Sequence, residues 1–394
     1  MTGDLKLDID GRIEQLLRGH DPATTDRAEF LGARFDAGLA WAHFAIGEGG
    51  LGLPQVWHTY VTEELERRGA PGPDTARNTI GLGMAAPTIA AYGTTEQKTR
   101  FLRPTYTSEL IWCQLFSEPG AGSDLAAVAT RAVLDGDTWI VNGQKVWTSS
   151  AHNADFAILV TRTDPGVPKH AGMTYFLCDM QEPGIEIRPL RQITGEAEFN
   201  EVFLNDVQVP DDQRLGAVGE GWQVATRTLN NERVAIGGAA ARESGHIGIV
   251  AEHWRSHPEI RRPALLDRLM SFWVEAEVAR LTGLRFRQQL QAGQPGPEGS
   301  AMKLTFARHA QALTGFALEL DGELSLRYDD WTEVRPEIVS MTGRGPGYRF
   351  LRAKGNSIEG GTSEILRNIV AERILGLPPE QRADKGIPWK DLVR

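Results

Sequence analysis

The chain has 394 residues, too many for one hydrophobic core, so we expect two or three domains. Its net charge of −10 excludes the clustered basic surface of a nucleic-acid-binding protein. The two cysteines, Cys113 and Cys178, form no CxxC pair, and the histidines lack HExxH spacing. We therefore expect a reducing compartment, no disulfide framework and no metal.

No apolar run approaches the roughly 20 residues that a membrane span needs. The first residues, Met-Thr-Gly-Asp, lack the basic and apolar regions of a signal peptide. These features predict a cytoplasmic protein that has no membrane contact.

Residues 1–112 are predicted to be mainly helical. Apolar residues recur at helical spacing in two stretches: Ile13, Leu16 and Leu17, then Trp57, Val61 and Leu65. Residues 46–53 are rich in glycine and predict a loop. Residues 81–86 match a GxGxxA dinucleotide pattern, but no strand precedes them and no βαβ unit surrounds them. We interpret them as a helix-packing surface.

From about residue 113 the period changes to two, which predicts a β domain over 113–213. The predicted strands are 130–134, 138–141, 144–148, 156–161, 173–178 and 203–209. Asp135-Gly136 and Asn142-Gly143 tolerate positive φ angles and predict two hairpin turns. The helical period returns over 214–394, with predicted helices at 221–252, 264–290 and 301–326.

Two segments of the β domain have the composition of a ligand site. Residues 116–124 read FSEPGAGSD, in which Gly120 and Gly122 allow close backbone approach and Ser123 offers a donor. Such a loop can hold a pyrophosphate through its N–H groups, although an ordinary turn has the same composition. Residues 142–149 read NGQKVWTS and place Trp147 beside two hydroxyls, where it is either a ligand contact or a core residue.

A third segment, residues 357–370, reads SIEGGTSEILRNIV. Two glycines lead into a predicted helix, whose first-turn amides and Thr362 could meet cofactor oxygens. The alternative is a plain glycine entry to a docking helix.

Segments 116–124 and 142–149 together resemble the flavin-binding segment of the acyl-CoA dehydrogenase family. The resemblance covers nearly the whole chain and implies an α+β fold of three domains: N-terminal helices, a middle β domain of barrel or sandwich type, and a C-terminal four-helix bundle. It also implies FAD as cofactor. The implied FAD contacts are Phe116 and Ser117 at the pyrimidine side, Gly122 and Ser123 at the pyrophosphate, Trp147 on the ring, Ser149 near N5, and Thr362 and Glu364.

The catalytic base departs from the common pattern of that family. Many members have a glutamate where this chain has Gly360, and Glu359 is displaced by one residue on a tight turn. Glu232 shares a helix face with apolar residues, where an unpaired carboxylate is costly unless it has a task. A buried ion pair with an arginine is the alternative. The long-chain and isovaleryl branch of the family has its base at the position that matches Glu232.

The resemblance therefore implies α,β-dehydrogenation of an acyl-CoA thioester. Glu232 would take the α-proton, the Gly360 amide and a ribityl hydroxyl would polarise the thioester oxygen, and the β-hydride would pass to flavin N5. Asn230 and Arg233 would contact the substrate. An electron-transfer flavoprotein would reoxidise the flavin, and the chain would form a homo- or hetero-oligomer, a tetramer built as a dimer of dimers.

Two segments depart from the family pattern. Residues 253–258 replace its adenine-contacting RxxFG sequence, and residues 342–347 replace a glycine-rich stretch that touches a neighbouring subunit's FAD. These departures resemble an actinobacterial branch that acts on bulky acyl-CoAs, partly as unlike-subunit pairs. Two alternatives stay open: a partner subunit that completes another chain's FAD site, and a flavin oxidase or monooxygenase.

Overall fold

A computed structural model describes residues 3–236, 242–291, 296–328, 330–338 and 343–392. The chain forms two compact units. The first unit comprises Met1–Leu190, Phe199–Thr228 and Asp384–Arg394, and the second comprises Arg191–Glu198 and Leu229–Ala383. Helices, then a curled β-sheet, then helices follow in chain order, which confirms the predicted fold class. The boundaries 1–112, 113–213 and 214–394 stay a prediction.

Two of the N-terminal helices of the first unit begin at side-chain caps. Asp26 accepts from two backbone amides at the start of the second helix, and Thr94 forms a reciprocal capping box with Gln97. The apolar face predicted for the third helix is buried. The helices are α1 Gly3–Gly19, α2 Arg27–Asp36, α3 Gln55–Arg67, α4 Ala86–Tyr92 and α5 Thr95–Thr107.

The GxGxxA segment lies in a helix, as predicted. Gly81–Ala85 form a π-helical turn that continues into α4. A Cβ on Gly81 would lie 2.2 Å from the Asn78 side-chain oxygen, so the glycine serves close packing.

The middle part of the first unit is a seven-stranded sheet ordered β1-β4-β2-β3-β7-β6, with β5 paired to β4. Its inward-facing side chains form one core cluster with Trp139 and Phe176 at its centre. The strands are β1 Trp112–Leu115, β2 Arg131–Asp135, β3 Thr138–Ser149, β4 Phe156–Arg162, β5 Met173–Asp179, β6 Ile185–Leu190 and β7 Phe199–Pro210.

The hairpin turn predicted at Asn142-Gly143 is wrong, because β3 runs unbroken through it. The partner strand β7 is long enough to pair with both halves of β3. At the predicted turn the pairing continues, with a shift of register between Val141 and Gly143. A Cβ on Gly143 would lie 2.3 Å from Thr130 Oγ1, so this glycine permits close approach rather than a turn. The Asp135-Gly136 turn is confirmed, with φ of 64° at Gly136.

The remaining helices start with α6, whose first residues belong to the first unit. The single helix predicted over 221–252 is wrong, because a 3₁₀ turn at Arg242–Ser244 and an extended Gly245 precede α7. The helices are α6 Gly221–Ile236, α7 His246–Ser256, α8 Pro263–Gln291, α9 Glu298–Asp321, α10 Pro346–Ala353 and α11 Ser363–Arg373. In the parts of the chain that the structure describes, none of the helices is apolar over a membrane-spanning length.

Two imidazoles face each other inside the N-terminal helical layer. The His43 and His58 rings lie 5.1 Å apart, and the buried guanidinium of Arg34 adds positive charge beside them. Burial lowers the pKa of His43 to about 4 and that of His58 to about 3. Both rings are therefore neutral in the folded protein at neutral pH.

We expect this histidine pair to destabilise the fold in acid. As pH falls from about 6.5 to 4, the unfolded chain binds protons that the folded chain refuses, so stability falls by up to about 1.4 kcal/mol per pH unit per histidine. Calorimetry of the apoprotein at pH 7.5 and pH 5 measures the drop in Tm. The double variant His43→Gln/His58→Gln should show a smaller drop, and an equal drop would contradict this role.

Candidate active site

The two sequence motifs of the β domain meet at a buried ion pair. Lys145 Nζ lies 2.8 Å from Glu118 Oε1 and also donates to the carbonyls of Phe116 and Val160, at 3.0 and 2.8 Å. The lysine side chain is fully buried. One ammonium thus saturates its donors by joining the end of β1 and the following loop to β3.

The Glu118 carboxylate also binds the backbone that follows the loop in which it lies. It accepts from the backbone amides of Ala129 and Thr130, at 2.6 and 2.9 Å. Burial by itself would raise the pKa of Glu118, but the Lys145 ammonium and these amides outweigh it and hold the pKa below its usual range. Glu118 and Ala121 also exchange two backbone hydrogen bonds of 3.0 Å, which closes the tight turn.

We call residues 116–124 the glycine loop. Gly122 and Ser123 are exposed, and a Cβ on Gly120 or Gly122 would meet nothing within 4 Å. The Phe116 ring is buried edge-on against Tyr175, 5.8 Å between centroids, so Phe116 serves the core with its side chain. The loop therefore presents small residues and backbone to a ligand.

Trp147 is held in an unusual conformation. Its φ of 60° is left-handed, and it occupies the bulge where the register of β3 against β7 shifts between Lys145 and Thr148. The indole is 58% exposed and touches the Phe199 ring edge-on at 5.8 Å. A left-handed tryptophan costs on the order of 1–3 kcal/mol, and such strain clusters at ligand sites.

A backbone hydrogen bond and strand pairing connect several of the first-unit candidates. The Val146 amide donates to the Ser117 carbonyl at 2.9 Å, and Ser149 pairs with Phe199 across β3 and β7. Ser117 and Ser149 are both half-buried. The part of β3 that carries the exposed indole is therefore bonded to the glycine loop at Ser117 and paired with the first residue of β7, Phe199.

Sequence reasoning missed Asn200, which fastens the bulge. Its side chain is fully buried and donates to the Thr148 carbonyl at 3.0 Å, with His152 Nδ1 3.3 Å away. Asparagine is unfavourable in β-strands. An asparagine within a stretch of strand-forming residues was therefore the signal that could have identified Asn200. Glu118 and Lys145 lay within the quoted motifs, but nothing in the sequence paired them.

The second unit contains the glycine turn before α11. Gly360 and Gly361 have φ of 63° and 96°, which favour glycine, and Lys303 Nζ donates to the Gly361 carbonyl at 2.7 Å. Thr362 Oγ1 caps α11 by accepting from the Ile365 amide at 3.2 Å. Glu364 is exposed and pairs with Arg367 at 3.1 Å, a surface ion pair of small energetic value.

Glu359 is held by an arginine. Arg352 donates to both Glu359 carboxylate oxygens, at 2.9 and 3.0 Å, and its Nε lies 3.4 Å from Glu198. Burial raises the pKa of Glu198. The bidentate fork fixes the position of the Glu359 carboxylate on Arg352.

The predicted base, Glu232, is followed in the chain by Arg233, a predicted substrate contact. Glu232 and Arg233 are in helix α6, but their side chains fall outside the described residues. Earlier in α6 the same apolar face is buried at Ala225, and Asn230 is exposed. The helical position predicted for Glu232 is therefore present, while its contacts stay a prediction.

Sequence models of three acyl-CoA dehydrogenase domains match consecutive parts of the chain. The N-terminal domain matches residues 10–109, the middle domain 113–207 and the C-terminal domain 219–375. The chain belongs to the acyl-CoA dehydrogenase family. This confirms the resemblance on which the sequence prediction rested.

Relatives of this acyl-CoA dehydrogenase occur in Mycobacterium tuberculosis, which fits the actinobacterial branch. The chain is 41% identical to acyl-CoA dehydrogenase FadE34 over 344 residues, 87% of this chain and 45% of that protein. It therefore spans less than half of FadE34. It is 38% identical to acyl-CoA dehydrogenase IpdE1 over 88% of this chain and 86% of that protein.

A similar solved structure is the ChsE4-ChsE5 complex from Mycobacterium tuberculosis. It has a TM-score of 0.71 at 28% identity and covers 96% of this chain and 99% of the compared chain.

Members of this family are flavoproteins, and FAD is the cofactor of this oxidoreductase. The first unit fits such a ligand: an indole is exposed at a strained position, and the adjacent glycine loop offers room and backbone for a pyrophosphate. In the described parts of the chain no group of three or more histidine, cysteine, aspartate or glutamate side chains could hold a metal ion.

The buried pair gives a direct stability prediction. Lys145→Met leaves the Glu118 charge buried without a partner and should lower the free energy of unfolding of the apoprotein by about 3–5 kcal/mol. Urea titration followed by tryptophan fluorescence measures this loss. The double variant Lys145→Met/Glu118→Gln should recover part of it, because the isolated charge is removed.

The matched control is Lys98→Met, which breaks a partly exposed pair with Glu48 and should lose about 1 kcal/mol or less. Equal losses for Lys98→Met and Lys145→Met would contradict a special role for the buried pair.

Proposed function

We propose that this acyl-CoA dehydrogenase converts an acyl-CoA thioester to the 2,3-enoyl-CoA. The α-hydrogen leaves as a proton to a carboxylate of the chain, and the β-hydrogen leaves with its electron pair. Bound FAD supplies the hydride acceptor. The observation that carries the proposal is the strained, exposed Trp147 beside the glycine loop, because such a conformation persists only where its surroundings enforce it.

For the flavin we propose the following contacts. Trp147 would pack on the ring, Ser149 would lie near N5, and Ser117 with the Phe116 backbone would meet the pyrimidine side. Gly122 and Ser123 would bind the pyrophosphate through the glycine loop. Thr362 and Glu364, at the start of α11, are proposed as further cofactor contacts, because the first-turn amides of a helix favour anions.

Glu232 is the proposed base. Two observations support it: Gly360 has no side chain to act in its place, and the Arg352 fork occupies Glu359. On the apolar face of α6 an unpaired carboxylate is costly unless it has a task, and abstraction of the α-proton would be that task.

The thioester oxygen needs donors as enolate charge develops. The Gly360 amide sits in a left-handed turn whose next carbonyl is fixed by Lys303, so it is a candidate donor of stable position. Removing one such donor typically raises a barrier by about 3 kcal/mol. Asn230 and Arg233 would bind the CoA portion, and an electron-transfer flavoprotein would accept the electrons.

A second candidate function is that of one subunit in an unlike pair, in which the chains share FAD sites. Residues 253–258 differ from the family's RxxFG pattern, and His253 Nε2 instead lies 2.6 Å from Asp321 Oδ1 in the second unit. The similar ChsE4-ChsE5 structure is a complex of two different chains. We propose a tetramer, a dimer of dimers, and a cytoplasmic location that suits the two free, buried cysteines.

Purifying the chain alone separates these two candidates. A homo-oligomer that binds FAD, turns yellow and bleaches with acyl-CoA supports the first candidate. A colourless chain that gains flavin only with an unlike partner supports the second. Rapid O₂ consumption without another acceptor would instead indicate oxidase or monooxygenase chemistry.

The base assignment makes a kinetic prediction. Glu232→Gln should keep bound FAD but slow anaerobic bleaching by acyl-CoA about 10²–10⁴-fold, the usual contribution of a general base. Stopped-flow absorbance measures bleaching. Glu359→Gln is the matched control and should bleach at nearly the parental rate. Parental bleaching by Glu232→Gln would exclude Glu232 as the base.

The flavin contact of Trp147 makes a binding prediction. Trp147→Ala should weaken FAD binding roughly 2–10-fold, the value of one aromatic packing contact, while the apoprotein loses little stability because the indole is largely exposed. Flavin fluorescence titration of the apoprotein measures the Kd. Trp331→Ala, at another exposed tryptophan in the second unit, should leave the Kd unchanged. Equal Kd values for all three proteins would place the flavin elsewhere.

A further inference from the structure

The end of the chain returns to the first unit. We call residues 384–392 the C-terminal segment. The Trp389 amide donates to the Val167 carbonyl at 2.9 Å and the Lys390 amide to the Pro165 carbonyl at 3.0 Å. These backbone bonds fix the segment to the connection between β4 and β5, so its position is defined by the β domain.

Two side chains tie this segment to the backbone that follows the glycine loop. Trp389 Nε1 donates to the Ala127 carbonyl at 3.3 Å. The buried Arg162 guanidinium lies 4.9 Å from the Trp389 ring centre and donates to the Ala126 and Lys169 carbonyls, at 2.5 and 2.6 Å. A desolvated guanidinium on an indole is among the stronger cation–π contacts.

A lysine completes the connection. Lys169 Nζ lies 2.5 Å from Asp124 Oδ2 and 2.6 Å from Asp384 Oδ2. Asp124 is the last residue of the glycine loop, and Asp384 is the first residue of the C-terminal segment. The Lys169 side chain is only 9% exposed, so its charge depends on these carboxylates for compensation.

The loop and the segment also line one cavity of about 690 Å³. Pro119 and Gly120 contribute to its wall from the loop, and Trp389 contributes from the segment. The glycine loop is therefore not supported by close packing at this side. On this side Lys169 holds the last residue of the loop, Asp124, and Arg162 and Trp389 hold the backbone that follows it.

We propose that the C-terminal segment positions the glycine loop for FAD, with Lys169 and Trp389 as positioning residues. The inference rests on the flavin site proposed above. A loop of small residues loses conformational freedom when it closes on a pyrophosphate, and a loop that is already fixed loses less. Removing the segment should therefore weaken FAD binding without removing any residue that touches the cofactor.

The test compares the parent chain with a chain ending at Ala383, both as apoproteins prepared from the purified protein. We expect the shortened chain to have an FAD Kd at least about 10-fold higher by fluorescence titration. Hydrogen exchange of the apoproteins should be faster over residues 118–130 in the shortened chain and unchanged in α1 and α3. The exchange result needs no bound FAD.

Point variants cover the case in which the shortened chain does not fold. Asp384→Asn and Lys169→Met should each raise the FAD Kd and speed exchange over 118–130, and Lys169→Arg should restore much of both. Lys390→Ala is the control, because its side chain is exposed and the segment uses only its backbone amide.

Parental Kd values in the shortened chain and in both point variants would overturn the proposal. Unchanged exchange over residues 118–130 would overturn it as well. A parent chain that binds no FAD would overturn the flavin site itself. That failure is distinguishable, because the exchange experiment would still report whether the segment holds the loop.

Discussion

The buried contact between Lys145 and Glu118 is the constraint on which the cofactor side of this protein depends. One ammonium on β3 joins two acceptors of the glycine loop, the Phe116 carbonyl and the Glu118 carboxylate, to the Val160 carbonyl of β4. Because neither charge can be left alone without a large loss of stability, the loop and the strand bearing Trp147 are fixed relative to each other. Residues that are far apart in the sequence are thereby held close together in the fold.

That rigidity explains how the chain maintains an unfavourable conformation. Trp147 has a left-handed backbone and an exposed indole, so it gains little from burial. The bulge persists because Lys145 anchors one side of it and the buried Asn200 anchors the other. The packed sheet core offsets the free-energy cost of this strain, and the result is an aromatic side chain exposed on β3.

The sequence predicted the order of helices and strands because periodicity and turn chemistry are local properties, and the cofactor followed from the family resemblance of residues 116–124 and 142–149. It predicted a turn at Asn142-Gly143 wrongly, since only the pairing with β7 shows that β3 continues. It did not pair Glu118 with Lys145, and it did not anticipate that Asp384 and Trp389 return to the β domain. These contacts link residues far apart in the chain, and no local pattern encodes them.

The central claim is that the face formed by Trp147 and the glycine loop binds the flavin. A crystal structure of the purified chain with FAD and an acyl-CoA analogue tests it most directly. The account predicts the isoalloxazine in van der Waals contact with the Trp147 indole and the pyrophosphate on the amides of residues 120–123. A flavin ring bound away from Trp147, with the glycine loop free of phosphate, would contradict it.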